Sequence, residues 1–144
     1  MVEAKFLEPT QETWEIEFDV AASAALRTKT RGKVRRRQDG PQIDTNTVAF
    51  NTEAGETVGI VDIFVSGTPA PDGAIDFEVG RLAQGKNIIA STVNAVNANR
   101  AKLAKPIVIA PNSAVSPLYF NLATSTAGLT QFCFLTCVIV PRKV

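Results

Sequence analysis

The chain has 144 residues, 45% hydrophobic and 20% charged, with 15 Lys and Arg against 14 Asp and Glu and no histidine. That composition belongs to a globular protein able to bury a sizeable core, most simply one domain over 1–144, and it excludes wholesale disorder. The missing imidazole removes the commonest general base and metal ligand, and a formal net charge of +1 excludes a global attraction to polyanions.

The opening MVEAKFLEPT does not read as a signal peptide, because Glu3 and Glu8 interrupt any apolar run. No window reaches the roughly 18 apolar residues of a membrane helix. The expectation is a soluble protein made in a cytoplasm, with no membrane partner. Charge is unevenly spread along this region. Residues 1–20 carry six acids against Lys5, a net −5, whereas residues 27–37, RTKTRGKVRRR, carry seven basic residues and no acid. Residues 38–144 hold seven basic and eight acidic residues, a net −1. Near-neutrality therefore conceals an acidic segment followed at once by a basic one, and residues 1–40 read as a charged N-terminal hairpin or arm on a β core over 41–144.

In TWEIEFDV, Trp14, Ile16, Phe18 and Val20 alternate with Glu15, Glu17 and Asp19, the period of a half-buried strand. Within the basic run Arg27, Lys29, Arg31, Lys33 and Arg35 occupy every second position, so an extended chain points them the same way. A hairpin through 21–26 then pairs Asp19 with Arg27, Glu17 with Lys29 and Glu15 with Arg31. Such cross-strand pairs contribute about 0.2–1 kcal/mol each. This register leaves Lys33, Arg35, Arg36 and Arg37 uncompensated. Arginine is favoured where carboxylates or phosphates are gripped in bidentate fashion. The candidate partner-binding residues are accordingly Arg27, Lys29, Arg31, Lys33, Arg35, Arg36 and Arg37, with the triplet 35–37 foremost.

Further strands are expected at TVAF (47–50), TVGIVDIFVS (57–66), AIDFEV (74–79), PIVIA (106–110), SPLYFNL (116–122) and QFCFLTCVIV (131–140). The runs 57–66 and 131–140 are apolar on both faces and read as central strands covered on both sides. Asp39-Gly40-Pro41, Ala54-Gly55-Glu56, Asp72-Gly73 and Pro111-Asn112-Ser113 supply turn chemistry between them. One segment departs from this period. Ile89, Val93 and Val96 recur at helical spacing, which predicts a short helix around residues 88–97. The fold expected is all-β, an antiparallel β-sandwich or jelly roll with that one helix and an extended charged N-terminal region.

Few residues suggest chemistry. Cys133 and Cys137, four apart on a strand, lie about 13 Å from each other, too far to bridge, and read as buried structural thiols. Asp72, Asp76 and Glu78 read as a solvated loop and strand face, their spacing matching no calcium loop. No phosphate loop of the GxxxxGK[ST] kind is present, and the serines lack a histidine base. No catalytic, metal or cofactor residue is assigned, and no small-molecule substrate is expected. Single-strand nucleic-acid binders add stacking aromatics to basic grooves. Here only Trp14 and Tyr119 qualify, and Trp14 alternates as core, so nucleic acid is disfavoured.

The layout of charged N-terminal segments, short strands, the Ala/Asn-rich stretch IIASTVNAVNANRAKLA and the closing strand FCFLTCVIVPRKV resembles the jelly-roll cement (decoration) proteins of tailed bacteriophages. The resemblance implies a non-enzymatic virion protein on the outer capsid surface. Its partners would be the major capsid protein and its own copies, as a dimer or trimer. The basic run would then clamp acidic patches on the shell or on a sister subunit. Alternatives are a receptor- or glycan-binding fibre or tail module, expected to expose an aromatic platform, and a nucleic-acid-binding β-domain using the basic arm.

Overall fold

In the computed structural model of the chain, residues 9–21, 28–66, 73–79, 82–83, 88–89, 100–121 and 129–141 are described. All regular elements among them are strands: β1 (Thr10–Val20), β2 (Lys29–Arg31), β3 (Lys33–Arg35), β4 (Gln42–Asp44), β5 (Phe50–Asn51), β6 (Glu56–Ser66), β7 (Gly73–Val79), β8 (Leu82–Ala83), β9 (Ile88–Ile89), β10 (Arg100–Ile109), β11 (Ala114–Asn121) and β12 (Leu129–Pro141). A first sheet has the order β10-β6-β12-β1-β3-β4; a second has β2-β11-β7-β8, with β5 also beside β11 and β9 beside β7. Every pairing is antiparallel.

The two sheets enclose one core, consistent with a β-sandwich. The alternation of β1 drives Trp14, Ile16, Phe18 and Val20 inward. They meet Cys133, Leu135, Cys137 and Ile139 of β12 and, from the second sheet, Phe50, Ile75, Phe77, Val115 and Tyr119. Trp14 stacks edge-on against Phe50 at 5.3 Å and Phe18 tilts against Tyr119 at 5.8 Å, contacts that join the sheets. Strand β1 pairs with β12 along its whole length, Thr10 opposite Ile139 through Val20 opposite Leu129.

The run VGIVDIF lacks clean alternation because β6 carries a bulge. Thr136 opposes Asp62 while Cys137 opposes Ile60, so Val61 is the extra residue, and Ile60 and Ile63 both reach the core. Central position is as expected for β6 and β12, but their second face is not covered by the described residues. Phe64, Phe132 and Phe134 are half-buried there, and Val140 is exposed.

The expected helix over 88–97 is replaced at its start by strand β9, in which Ile88 and Ile89 pair with Ile75 and Ala74; 90–97 lie outside the described residues. Its apolar anchors were Ile89, Val93 and Val96, all β-branched and as compatible with strand as with helix. TVAF contracts to Phe50–Asn51, with Thr47 turned back onto Asp44. PIVIA is the end of the longer β10, which bulges between Lys102 and Ile107 around Pro106. In the predicted 111–113 turn Asn112 takes φ 54°, a left-handed conformation that asparagine tolerates.

The largest departure concerns the basic run, which does not form one strand. Lys29–Arg31 pairs with β11 in the second sheet, Lys33–Arg35 with β1 in the first, and the chain changes sheet at Gly32. Gly32 donates its amide to the Pro117 carbonyl at 3.0 Å, and its carbonyl accepts the Thr45 hydroxyl at 2.7 Å. A Cβ there would stand 2.6 Å from Ile16 Cγ2 and 2.9 Å from Phe18 Cε1. Only glycine fits between the corner and the core. Gly32→Ala is expected to destabilise the fold by about 1–3 kcal/mol through overpacking, lowering Tm by several degrees in a thermal melt. An unchanged melting curve would show that the corner has room to relax.

Candidate partner-binding surface

The register of the run differs from expectation by four residues. Glu17 faces Lys33 and Glu15 faces Arg35, in place of Lys29 and Arg31, because β2 belongs to the other sheet. The ladder on the outer face is therefore built from the residues expected to be uncompensated. Lys33 Nζ bonds Asp19 Oδ2 at 3.0 Å and lies 3.7 Å from Glu17, while Thr130 donates to Asp19 at 3.1 Å. These are exposed contacts, screened by solvent and individually weak.

The first half of the run is spread over the second sheet. Lys29 sits over the Phe120 ring at 5.6 Å. Arg31 donates to Ser116 at 3.0 Å and approaches Glu78 at 3.8 Å. Arg27 lies outside the described residues. Asp76, next along β7, is buried and not solvated; its Oδ1 accepts the Phe77 amide at 2.8 Å, and Asp72 lies outside the described residues. Tyr119 is buried with Trp14, so neither ring offers a stacking platform. Cys133 and Cys137 are free and buried, and burial pushes the Cys133 thiol up to about 12, which leaves it inert as a nucleophile.

Arg36 was expected to seek an outside partner, and instead it is neutralised within the fold. Its Nη1 and Nη2 grip Glu56 Oε1 and Oε2 at 2.6 Å each, and its Nε bonds Glu12 Oε2 at 2.7 Å. The Trp14 indole donates to the same Glu12 oxygen at 3.2 Å and the guanidinium lies 5.4 Å from the Trp14 ring centre. Glu56 Oε1 also accepts the Glu53 amide at 2.9 Å. The side chains of Arg36 and Glu56 are only 15% and 6% exposed. This fork joins β1, the β3–β4 turn and the start of β6 across one end of the sandwich. Alternation carries the signal that the uniform reading of the triplet missed. Val34 points inward, so 36 follows it inward while 35 and 37 point out. Glu12 and Glu56 share parity with the core residues Trp14 and Val58.

Two guanidiniums remain. Arg35, facing outward beside Glu15, makes no ion pair or hydrogen bond among the described residues, and its Nε is buried without a partner. Arg37 is 67% exposed and, among the described residues, forms one ion pair, with Glu12 at 3.7 Å. Arg35, Arg37, Thr13, Glu15, Gln38 and Phe134 line a cavity of about 260 Å³. A second cavity of about 270 Å³ is lined by Arg36, Arg37, Pro41, Ile43, Phe50 and Glu53. No protein-family model matches the chain, and no curated protein matches it.

Acidification tests the fork. Burial pushes Glu56 up, but hydrogen bonds from Arg36 and the Glu53 amide, with the charges of Arg36 and Arg37, outweigh it and hold the carboxyl below its usual 4.5. A depressed folded-state value stabilises fully above 4.5, and that contribution drains away as pH falls through the lower folded value. Asp19, lowered chiefly by the Lys33 hydrogen bond, adds a weaker loss below its usual 3.8. Asp76, raised chiefly by burial, has the opposite sign: its stabilisation is full below 3.8 and is lost as pH rises through the folded value. Wild-type urea midpoints are expected to fall between about pH 5 and 3. Glu56→Gln should cost about 3 kcal/mol at neutral pH and flatten that slope, since it strands Arg36 in a buried site. An equally steep slope in the variant would remove Glu56 from the account.

Proposed function

We propose that this protein is a non-enzymatic virion structural protein, a jelly-roll cement protein. It binds the outer capsid surface and stabilises the shell by contacts with the major capsid protein and with its own copies. One observation carries the reading: the fold neutralises Arg36 and Lys33 internally and leaves Arg35 and Arg37 turned outward beside the half-buried Phe134. Arginine and aromatic side chains together, with little lysine, are the composition of protein-docking surfaces. A modest patch of this kind gains strength when a symmetric shell repeats it, through effective concentration. A nucleic-acid reading fits less well, since the two outward guanidiniums of Arg35 and Arg37 neutralise few phosphates and the candidate stacking rings are buried.

Native mass measurement of the pure protein, with co-sedimentation on purified shells of the encoding virus, tests this directly. Oligomers and shell binding are expected. The double variant Arg35→Ser/Arg37→Ser should keep its melting temperature and lose shell affinity by about tenfold or more. Arg36→Ser should instead lower the melting temperature. A monomer that ignores shells would sink the proposal.

A further inference from the structure

Arg37 is a wall common to two cavities of different character. On one side Pro41, Ile43 and Phe50 give an apolar lining, joined by Asn51 and Glu53. On the other, Arg35, Gln38 and Thr13 offer donors against the ring of Phe134. At about 270 and 260 Å³ both fall below the roughly 300–1,000 Å³ typical of small-molecule and cofactor sites, yet each has room for one amino-acid side chain.

Charge specifies what the second cavity takes. Its lining holds two guanidiniums and one carboxylate, a net of +1. One incoming carboxylate brings it to neutrality, whereas a phosphate dianion overshoots. The Arg35 Nε is already desolvated and unpartnered, a donor whose cost is recovered only when an acceptor arrives. Glu15 faces Arg35 across the β1–β3 pair without forming an ion pair, which leaves the guanidinium with no acceptor among the described residues.

We propose that the two cavities together receive one extended segment of a partner protein, which seats an apolar side chain against Ile43 and Phe50 and places a carboxylate, on the far side of Arg37, between Arg35 and Arg37. The proposal rests on the reading of this protein as a docking module and names the chemistry of what docks. An extended chain advances about 3.3 Å per residue and Arg37 is a wall common to both cavities, so the two side chains belong within a few residues of one another. Acidic and apolar residues in that proximity are the recognition element.

The test is a hexapeptide array, probed with the full-length protein, in which Leu or Phe and a single Glu are placed at every separation from one to about four residues. Binding is expected only where both are present. Replacing Glu by Gln, or the apolar residue by Ser, should each weaken binding about tenfold or more. Arg35→Ser/Arg37→Ser should abolish the preference for Glu over Gln, and Pro41→Glu should abolish the preference for the apolar residue, both with unaltered thermal melts. Millimolar inorganic phosphate should compete no better than acetate. Equal binding of Glu and Gln peptides, an array with no binders, or strong displacement by phosphate would each overturn the two-site assignment. If the array fails while shells still bind, the docking function stands and this surface is not where it resides. Loss of shell binding as well would overturn both.

Discussion

The position at which the chain changes sheet governs the arrangement of charge on this molecule. Gly32 lies against Ile16, Phe18 and Pro117, closer than any Cβ permits, with its amide committed to β11 and its carbonyl to Thr45. Because the crossing is pinned there, residues before it can answer only to β11 and residues after it only to β1. A continuous run of positive charge is thereby cut into two sets with different neighbours. Lys29 and Arg31 meet Phe120, Ser116 and Glu78, while Lys33, Arg36 and Arg37 meet the acids of the first strand and of β6.

Beyond the crossing, strand parity sorts what remains. Val34 is core, so the side chains at 33 and 35 face solvent with Glu17 and Glu15 opposite them. Arg36 follows Val34 inward and finds two carboxylates held at the end of the sandwich, Glu12 on β1 and Glu56 on β6. Burying a guanidinium is costly, and the site offsets that cost with three charge-assisted hydrogen bonds and the face of Trp14. The fork is thus a structural tie. Removing either partner leaves a buried charge behind, which is why its loss should act on stability and leave recognition elsewhere untouched.

Most of the strand framework was legible in the sequence, because β1, β6, β7, β11 and β12 carry alternation or dense β-branched runs long enough to dominate any competing pattern. What escaped reading depends on contacts between distant segments. The register of the basic run required knowing that Gly32 is a corner, and a glycine flanked by arginine and lysine gives no local sign of one. The bulge at Val61 reads only as a break in period. The strand character of Ile88–Ile89 depends on Ile75 and Ala74 lying beside them, which helical spacing among β-branched residues does not disclose. Asp76 is buried on a strand face that alternation alone marks as outward.

The candidate site itself was half legible for the same reason. The triplet at 35–37 did single itself out by composition, and its middle member proved to be the one with the least freedom to act. Parity in the sequence makes that distinction, with Val34 as its anchor: the odd positions 35 and 37 point outward and 36 inward. Once it is applied, the two outward arginines differ in kind. Arg37 is an exposed charge suited to drawing an anion in, whereas Arg35 holds a desolvated donor on a strand, in place before any partner arrives. Fixed, already desolvated donors discriminate among partners better than exposed ones, since the expense of ordering them has been met by folding. Under the proposed docking role, the capacity of this surface to choose a partner rests on Arg35, and that of Arg35 rests on the corner that sets its strand against β1.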